Sequence, residues 1–251
     1  PFYVEFLILI ITGIIIFLTS ERTALFLLFV NYFFYFLISN RKIFFLITVL
    51  IFFIILFNYN SNSRLADKYI NFTLNQTGLI NILKNNDDKK HEAFKKNRLI
   101  RYYSEEHENL TYTGFKIFQN NYFFGSGVKT FYHECEKIKK TNFHKKNKRN
   151  NELLCSTHPH NTYIQILSEI GIFGFLVILF LFLYVLFNNL KIILKKNKNN
   201  FDLSHLFINL SLIINLMPLI PSGSFFNNWM SLIIFFPLGF WLYIKEKYYQ
   251  K

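Results

Sequence analysis

CSTHPHNTYIQILSEIGIFG, residues 155–174, decides how this chain is read. A charged region ends here and a long apolar run begins. His158, His160 and Asn161 mark the junction. Pro159 suits the first turn of a helix, where a missing N–H costs nothing. Asn161, Gln165 and Glu169 recur every four residues and share one helical face. A polar stripe entering a bilayer is expensive, so it should face protein or water rather than lipid. Two readings are open. One is a helix cap followed by an interhelical hydrogen-bond seam; the other is a site that handles a polar substrate.

The wider composition sets the class. Of 251 residues 52% are hydrophobic and 33 are Phe, and several apolar runs exceed the length a soluble core usually holds. The chain reads as an all-α polytopic membrane protein. It opens at Pro1 on the approach to an apolar segment, without an initiator Met or a signal-peptide pattern. It therefore reads as the C-terminal part of a longer protein. The net charge of +13 raises the question of nucleic acid. The basic residues, however, flank apolar runs or mix with acids, and none alternates with aromatics in a nucleic-acid-binding pattern.

Apolar runs at 3–18, 24–38, 43–57, 162–187, 203–220 and 229–244 give about six transmembrane helices. Residues 1–58 hold three of them, 59–158 form one large loop, 159–245 hold the other three, and 246–251 are a tail. Arg41, Lys42, Lys191, Lys195, Lys196, Lys198, Lys245, Lys247 and Lys251 fall on one side; the short turns of the other carry only Arg22. Positive charge in short loops marks the cytoplasm. The large loop, Arg22 and the turn at 221–228 are then extracytoplasmic, and the notable polar groups gather at one membrane face.

Cys135 and Cys155, the only cysteines, both fall in that loop. An oxidising compartment favours a disulfide between them. His133, Cys135, Cys155, His158 and His160 also supply enough ligands for zinc, though their spacing fits no standard zinc pattern; free thiols are the third state. Arg22 is either an interfacial anchor or a phosphate clamp, since guanidinium grips phosphate through two parallel hydrogen bonds. Gly125-Ser-Gly127 lacks the third glycine and the βαβ setting of a nucleotide fingerprint and reads as a tight turn. The 221–229 stretch, with Asn227, is either a turn with an interfacial Trp or a set of polar groups for sugar or phosphate.

The His-Pro-His-Asn-x-Tyr-x-Gln-x-x-x-Glu-x-Gly-x-x-Gly pattern at 158–174 resembles the signature of the O-antigen ligase and polymerase family. Its position, at the exit of a large loop and the start of a membrane helix, strengthens the likeness. The resemblance implies a GT-C-like membrane glycosyltransferase of the bacterial inner membrane, acting at its periplasmic face in lipopolysaccharide or other surface-polysaccharide biosynthesis. The donor would be a glycan on polyprenyl (undecaprenyl) pyrophosphate. The acceptor would be lipid A–core for a ligase, or another glycan for a polymerase or a protein O-oligosaccharyltransferase. The transfer would be inverting, with no metal and no cofactor.

For that chemistry His160 would take the acceptor hydroxyl's proton or orient that hydroxyl, with His158 the less favoured base. Asn161 and Gln165 would position the ring or the sugar, Arg22, by the resemblance, would bind the donor pyrophosphate, and Asn227 would lie among further substrate contacts. Where the family carries a loop arginine this chain has His107, with Arg98 and Arg101 upstream; Arg101 or His107 would take its place. A transporter would instead carry ionisable groups in mid-span, and a non-catalytic assembly protein would use the loop to bind a partner.

Overall fold

The computed structural model describes residues 11–16, 18–19, 21–39, 50, 104–142, 153–196, 200–218 and 220–249. Most of the expected third span and of the first span, and Arg98 and Arg101, lie outside these described residues, as do the first part of the loop and the lysine-rich stretch 143–152. Every described element is an α-helix; among the described residues there is no strand. The chain forms two compact units, Pro1–Glu105 and Glu106–Lys251.

In the first unit, residues 11–16 and 18–19 are helical, and α1 (Arg22–Ser39) follows Glu21. Glu21 O accepts the first bond of the helix from Leu25 N at 3.0 Å, so Arg22 lies in its first turn. The second unit contains α2 (Glu105–Asn120), α3 (Phe131–Asn142), α4 (Thr162–Glu169), α5 (Gly171–Leu194), α6 (Asn200–Asn215) and α7 (Asn228–Tyr249). Among the described residues, α5 and α7 are the two helices long and apolar enough to cross a membrane. The 24 residues of α5 rise about 36 Å, more than the roughly 30 Å of a hydrocarbon core.

Two clusters of buried side chains organise the second unit. Ile166 of α4, Phe182 and Val185 of α5, Leu212 and Ile213 of α6, and Ile234 and Trp241 of α7 form one. Leu110 and Ile117 of α2, Phe131, Cys135 and Ile138 of α3, and Leu153 form the other. Gly114 lets α2 lie against α4, since a Cβ there would meet the Ile164 side chain.

The expected fourth span is not one helix. It breaks at Ile170, and Gly171 takes φ +83°, a left-handed conformation that glycine adopts without the Cβ penalty. The break exposes carbonyls at the end of α4, and the Tyr122–Gly127 turn satisfies them. Ser126 N donates to Ser168 O at 3.0 Å, Gly127 N to Glu169 O at 2.9 Å, and Ile172 N to Tyr122 O at 2.9 Å. The approach is so close that a Cβ on Gly125 would meet the backbone of Glu169 and Ile170, and one on Gly171 the carbonyl of Phe123. The Gly-x-Gly turn and the Glu-x-Gly turn are thus the two halves of one joint.

The fifth apolar run also ends early: α6 stops at Asn215 rather than continuing to 220. Pro218 disfavours helical backbone at the residue before it. The carbonyls released are taken by α4 and the residue before it: Tyr163 Oη donates to Leu216 O at 2.7 Å and Asn161 Nδ2 to Pro218 O at 2.8 Å.

Gly171→Ala should lower the melting temperature of the purified protein sharply. The left-handed backbone costs an L-residue about 1–2 kcal/mol, and the overlap with Phe123 adds to it. Gly239→Ala in α7, where nothing lies within 4 Å of the added Cβ, should leave the melting temperature unchanged. Thermal unfolding of the two variants in detergent checks the contrast.

Candidate active site

The site is built on the segment 153–161, which runs from the α2–α3 cluster to the start of α4. Leu153 anchors one end in that cluster. Leu154 N donates to Thr113 Oγ1 of α2 at 3.2 Å, and Cys155 is disulfide-bonded to Cys135 of α3, Cα to Cα 5.5 Å. The other end is Asn161, the N-cap of α4. Its Oδ1 accepts from Tyr163 N at 3.0 Å and Ile164 N at 3.1 Å. Pro159 therefore lies two residues before the cap, not in the first helical turn as the sequence suggested. The reason is His160, whose φ of +53° is left-handed and incompatible with the helix. His tolerates this region better than most residues, and the strain costs on the order of 1–3 kcal/mol. The His160 carbonyl is fixed by Ser222 N at 2.9 Å.

Three imidazoles meet here. The ring of His160 lies 4.2 Å, centroid to centroid, from that of His158 and 5.7 Å from that of His107, near the start of α2. His158 is half-buried. Its Nδ1 is 3.0 Å from Thr157 Oγ1, while its Nε2 is buried with no protein partner. Burial holds the His158 ring below its ordinary value, and the neighbouring His160 acts in the same direction. Such a ring stays neutral around pH 6.5, so a proton can move at this cluster without a second charge forming beside it.

The polar stripe of α4 is directed into protein. Gln165 Nε2 donates to Ser224 Oγ at 3.0 Å and to Glu169 Oε2 at 3.2 Å, and its Oε1 accepts from Phe225 N at 2.8 Å. Thr162 Oγ1 and Ser222 Oγ are 2.8 Å apart. The 221–228 turn is therefore pinned along α4, and it carries the Ser222 N–H that holds His160. Glu169, buried at the end of α4 just before the membrane helix, accepts from Lys129 N at 3.0 Å and Phe131 N at 3.1 Å. Its carboxyl faces the N-terminus of α3, where a helix dipole favours the ionised form. Burial pushes its carboxyl upward; the two backbone N–H groups, the Gln165 amide and the Lys129 charge oppose this.

Of the residues singled out from sequence, the structure brings together His107, His158, His160, Asn161 and Gln165. Asn161 and Gln165 spend their polar atoms on the protein frame. Asn227 is exposed, and its Oδ1 accepts from Trp229 N at 3.1 Å, at the start of α7. Arg22 belongs to the first unit. Among the described residues no group of three or more His, Cys, Asp or Glu could hold a metal ion, and the cysteine thiols are consumed in the disulfide. Sequence reasoning placed Glu169 in the polar stripe and Ser222 and Ser224 in the 221–229 stretch without seeing what they bond, and it passed over Gly114. For Glu169 the signal was present: it is the only Asp, Glu, Lys or Arg between 155 and 190, and a charge in an apolar run requires partners.

A family model described as O-antigen ligase matches residues 7–179 of the 251. No curated protein and no solved structure matches the chain.

Gln165→Leu removes the acceptor of the buried Phe225 N–H, so stability should fall by about 1–3 kcal/mol. Chemical denaturation in detergent measures it, and a stability equal to the unaltered chain would show that the seam does not hold the turn. A second expectation concerns pH. A lowered folded-state value for His158 means that the unfolded chain binds the proton more readily, so stability is lost as pH falls from 6.5 toward the folded value. Melting temperature against pH should slope downward below 6.5, and His158→Gln should reduce that slope.

Proposed function

Because this chain belongs to the O-antigen ligase family, with a ligase-like role in surface-polysaccharide biosynthesis, we propose that it transfers a glycan from a polyprenyl-pyrophosphate carrier to an acceptor sugar. The reaction takes place at the periplasmic face of the bacterial inner membrane, in a GT-C-like enzyme of about six spans. The observation that carries this reading is the convergence of His107 and His158 on His160, just ahead of α4, the short helix that leads into the span-length α5. The disulfide between Cys135 and Cys155 fits an oxidising compartment on the same face.

In the proposed step an acceptor hydroxyl attacks the anomeric carbon and its proton passes to an imidazole nitrogen of His160. The bond from that carbon to the pyrophosphate oxygen breaks, and the electron pair leaves with the pyrophosphate. A single displacement inverts the anomeric centre. Pyrophosphate is a good leaving group, so the enzyme's main tasks are to orient two substrates and to steady the departing charge. Arg22 and Arg101 are assigned to the donor pyrophosphate. His107, whose ring lies 5.7 Å from that of His160, is the alternative to Arg101 for that role. Asn161 and Gln165 act through the frame that fixes His160, and His158 keeps the surroundings of the base uncharged. Asn227, at the start of α7, is assigned to the acceptor side.

His160→Ala should lower transfer from a lipid-linked glycan by about a hundred-fold or more, with melting temperature and protein level unchanged. Gel ladders of surface polysaccharide and an assay with purified lipid-linked donor read the outcome; normal ladders from a well-folded variant would remove His160 from the chemistry. A deletion strain that accumulates carrier-linked polymer supports ligation, and one that accumulates single repeats supports polymerisation.

A further inference from the structure

The Tyr122-Phe-Phe124 turn plays no part in the step above, and it exposes its aromatic rings. Phe123 is 63% and Phe124 80% exposed, although the backbone that carries them is held tightly. Tyr122 O accepts from Ile172 N, and Gly125 packs on the backbone of Glu169 and Ile170. Loops that face water rarely present consecutive large apolar side chains from a fixed backbone.

The surroundings indicate what covers these rings. Phe123 and Phe124 lie 6.1 Å and 5.7 Å from Phe173, in the first turn of α5. Phe173 begins an exposed apolar stripe that continues through Leu176, Val177, Phe180, Leu183 and Phe187. That spacing is one face of a helix, and on a helix able to cross the bilayer an unpartnered apolar face is covered by lipid. The two phenyl rings prolong that face beyond the N-terminus of α5, and the exposed Asn121 and Lys129 flank the turn. Aromatic side chains with polar neighbours at the end of a span are the usual pattern of the membrane–water boundary.

We propose that the Tyr122–Phe124 turn is an interfacial lipid anchor, with Phe123 and Phe124 inserted among acyl chains just below the headgroups. The inference rests on the membrane-spanning reading of α5 and needs no assumption about catalysis. The turn is bonded to the end of α4, the helix that starts at the His160 segment, so the anchor fixes the depth of the histidine cluster relative to the bilayer surface.

The test uses Phe124→Cys in the full chain, where both native cysteines are disulfide-bonded. The new thiol carries a nitrobenzoxadiazole label, and the protein is reconstituted in phosphatidylethanolamine–phosphatidylglycerol vesicles. The reference is Lys140→Cys, an exposed position on α3. The label at 124 should emit to the blue of the reference. It should be quenched by lipids spin-labelled near the headgroup and be reduced more slowly by dithionite. Water-like emission with dithionite reduction as fast as at 140 overturns the proposal. So does a label shielded from both lipid quencher and dithionite, since protein then covers the turn. Because Phe124 is largely exposed, the substitution should leave folding intact, which a native melting temperature verifies. The readout is independent of glycan transfer, so failure here and failure of the enzymatic reading are separable.

Discussion

The second unit depends on how the buried carboxyl of Glu169 is accommodated. A carboxylate at the edge of a hydrocarbon layer is costly unless its oxygens are satisfied. Three donors meet it, the backbone N–H groups of Lys129 and Phe131 and the Gln165 amide. One belongs to the turn before α3, one to the first residue of α3 and the third to α4, so satisfying the carboxyl draws α3 onto the start of α5. The break at Gly171 adds direction. A helix running unbroken from 162 to 194 would keep its own carbonyls at 168 and 169; the broken one offers them to Ser126 and Gly127. The loop is docked by hydrogen bonds at a place where burial of apolar surface against lipid offers no net gain.

This joint explains why two short glycine patterns far apart in sequence belong together. Gly125 and Gly171 have φ of +68° and +83°; Gly125 faces the backbone of Glu169 and Ile170, and Gly171 that of Phe123 and Gly125, at distances that exclude a side chain. From sequence, Gly125-Ser-Gly127 was legible as a turn and Glu169-Ile-Gly171 as the end of a polar stripe. That they form one contact was not legible, because backbone-to-backbone approach leaves no periodicity to read. The apolar runs read at 162–187 and 229–244 were legible as span-length segments because span length is a direct physical requirement of a bilayer, but the first divides at Ile170 and its long helix runs on to Leu194. The end of α6 was misread because Leu, Ile and Met continue past Asn215, while the backbone turns away before Pro218 and leaves its carbonyls to Tyr163 and Asn161.

The histidine pair was legible as a junction of polar groups with an apolar run. The role of the stripe was half legible: period four showed that Asn161, Gln165 and Glu169 share a face, but not what that face meets. It meets the 221–228 turn and the turn before α3, so these side chains shape the site from behind. His107 gave no periodic signal at all. It comes beside His160 because α2 begins several residues earlier than its apolar stretch at 110–118 suggests and lies against α4 through Gly114.

The left-handed backbone of His160 ties these features to the proposed transfer step. Its cost, on the order of 1–3 kcal/mol, is offset locally. Ser222 N–H holds the residue's own carbonyl, and the next residue, Asn161, caps α4 through two backbone N–H groups while its amide reaches Pro218. Each such bond contributes about 0.5–1.5 kcal/mol net, so together they are enough to hold one strained residue. The disulfide fixes the same segment from its other end. A helical conformation at His160 would lengthen α4 and turn the ring along the helix, away from the geometry that brings the three imidazoles together. The strain therefore selects the ring position before any substrate arrives, as the proposed reaction, accelerated chiefly by orientation, would require.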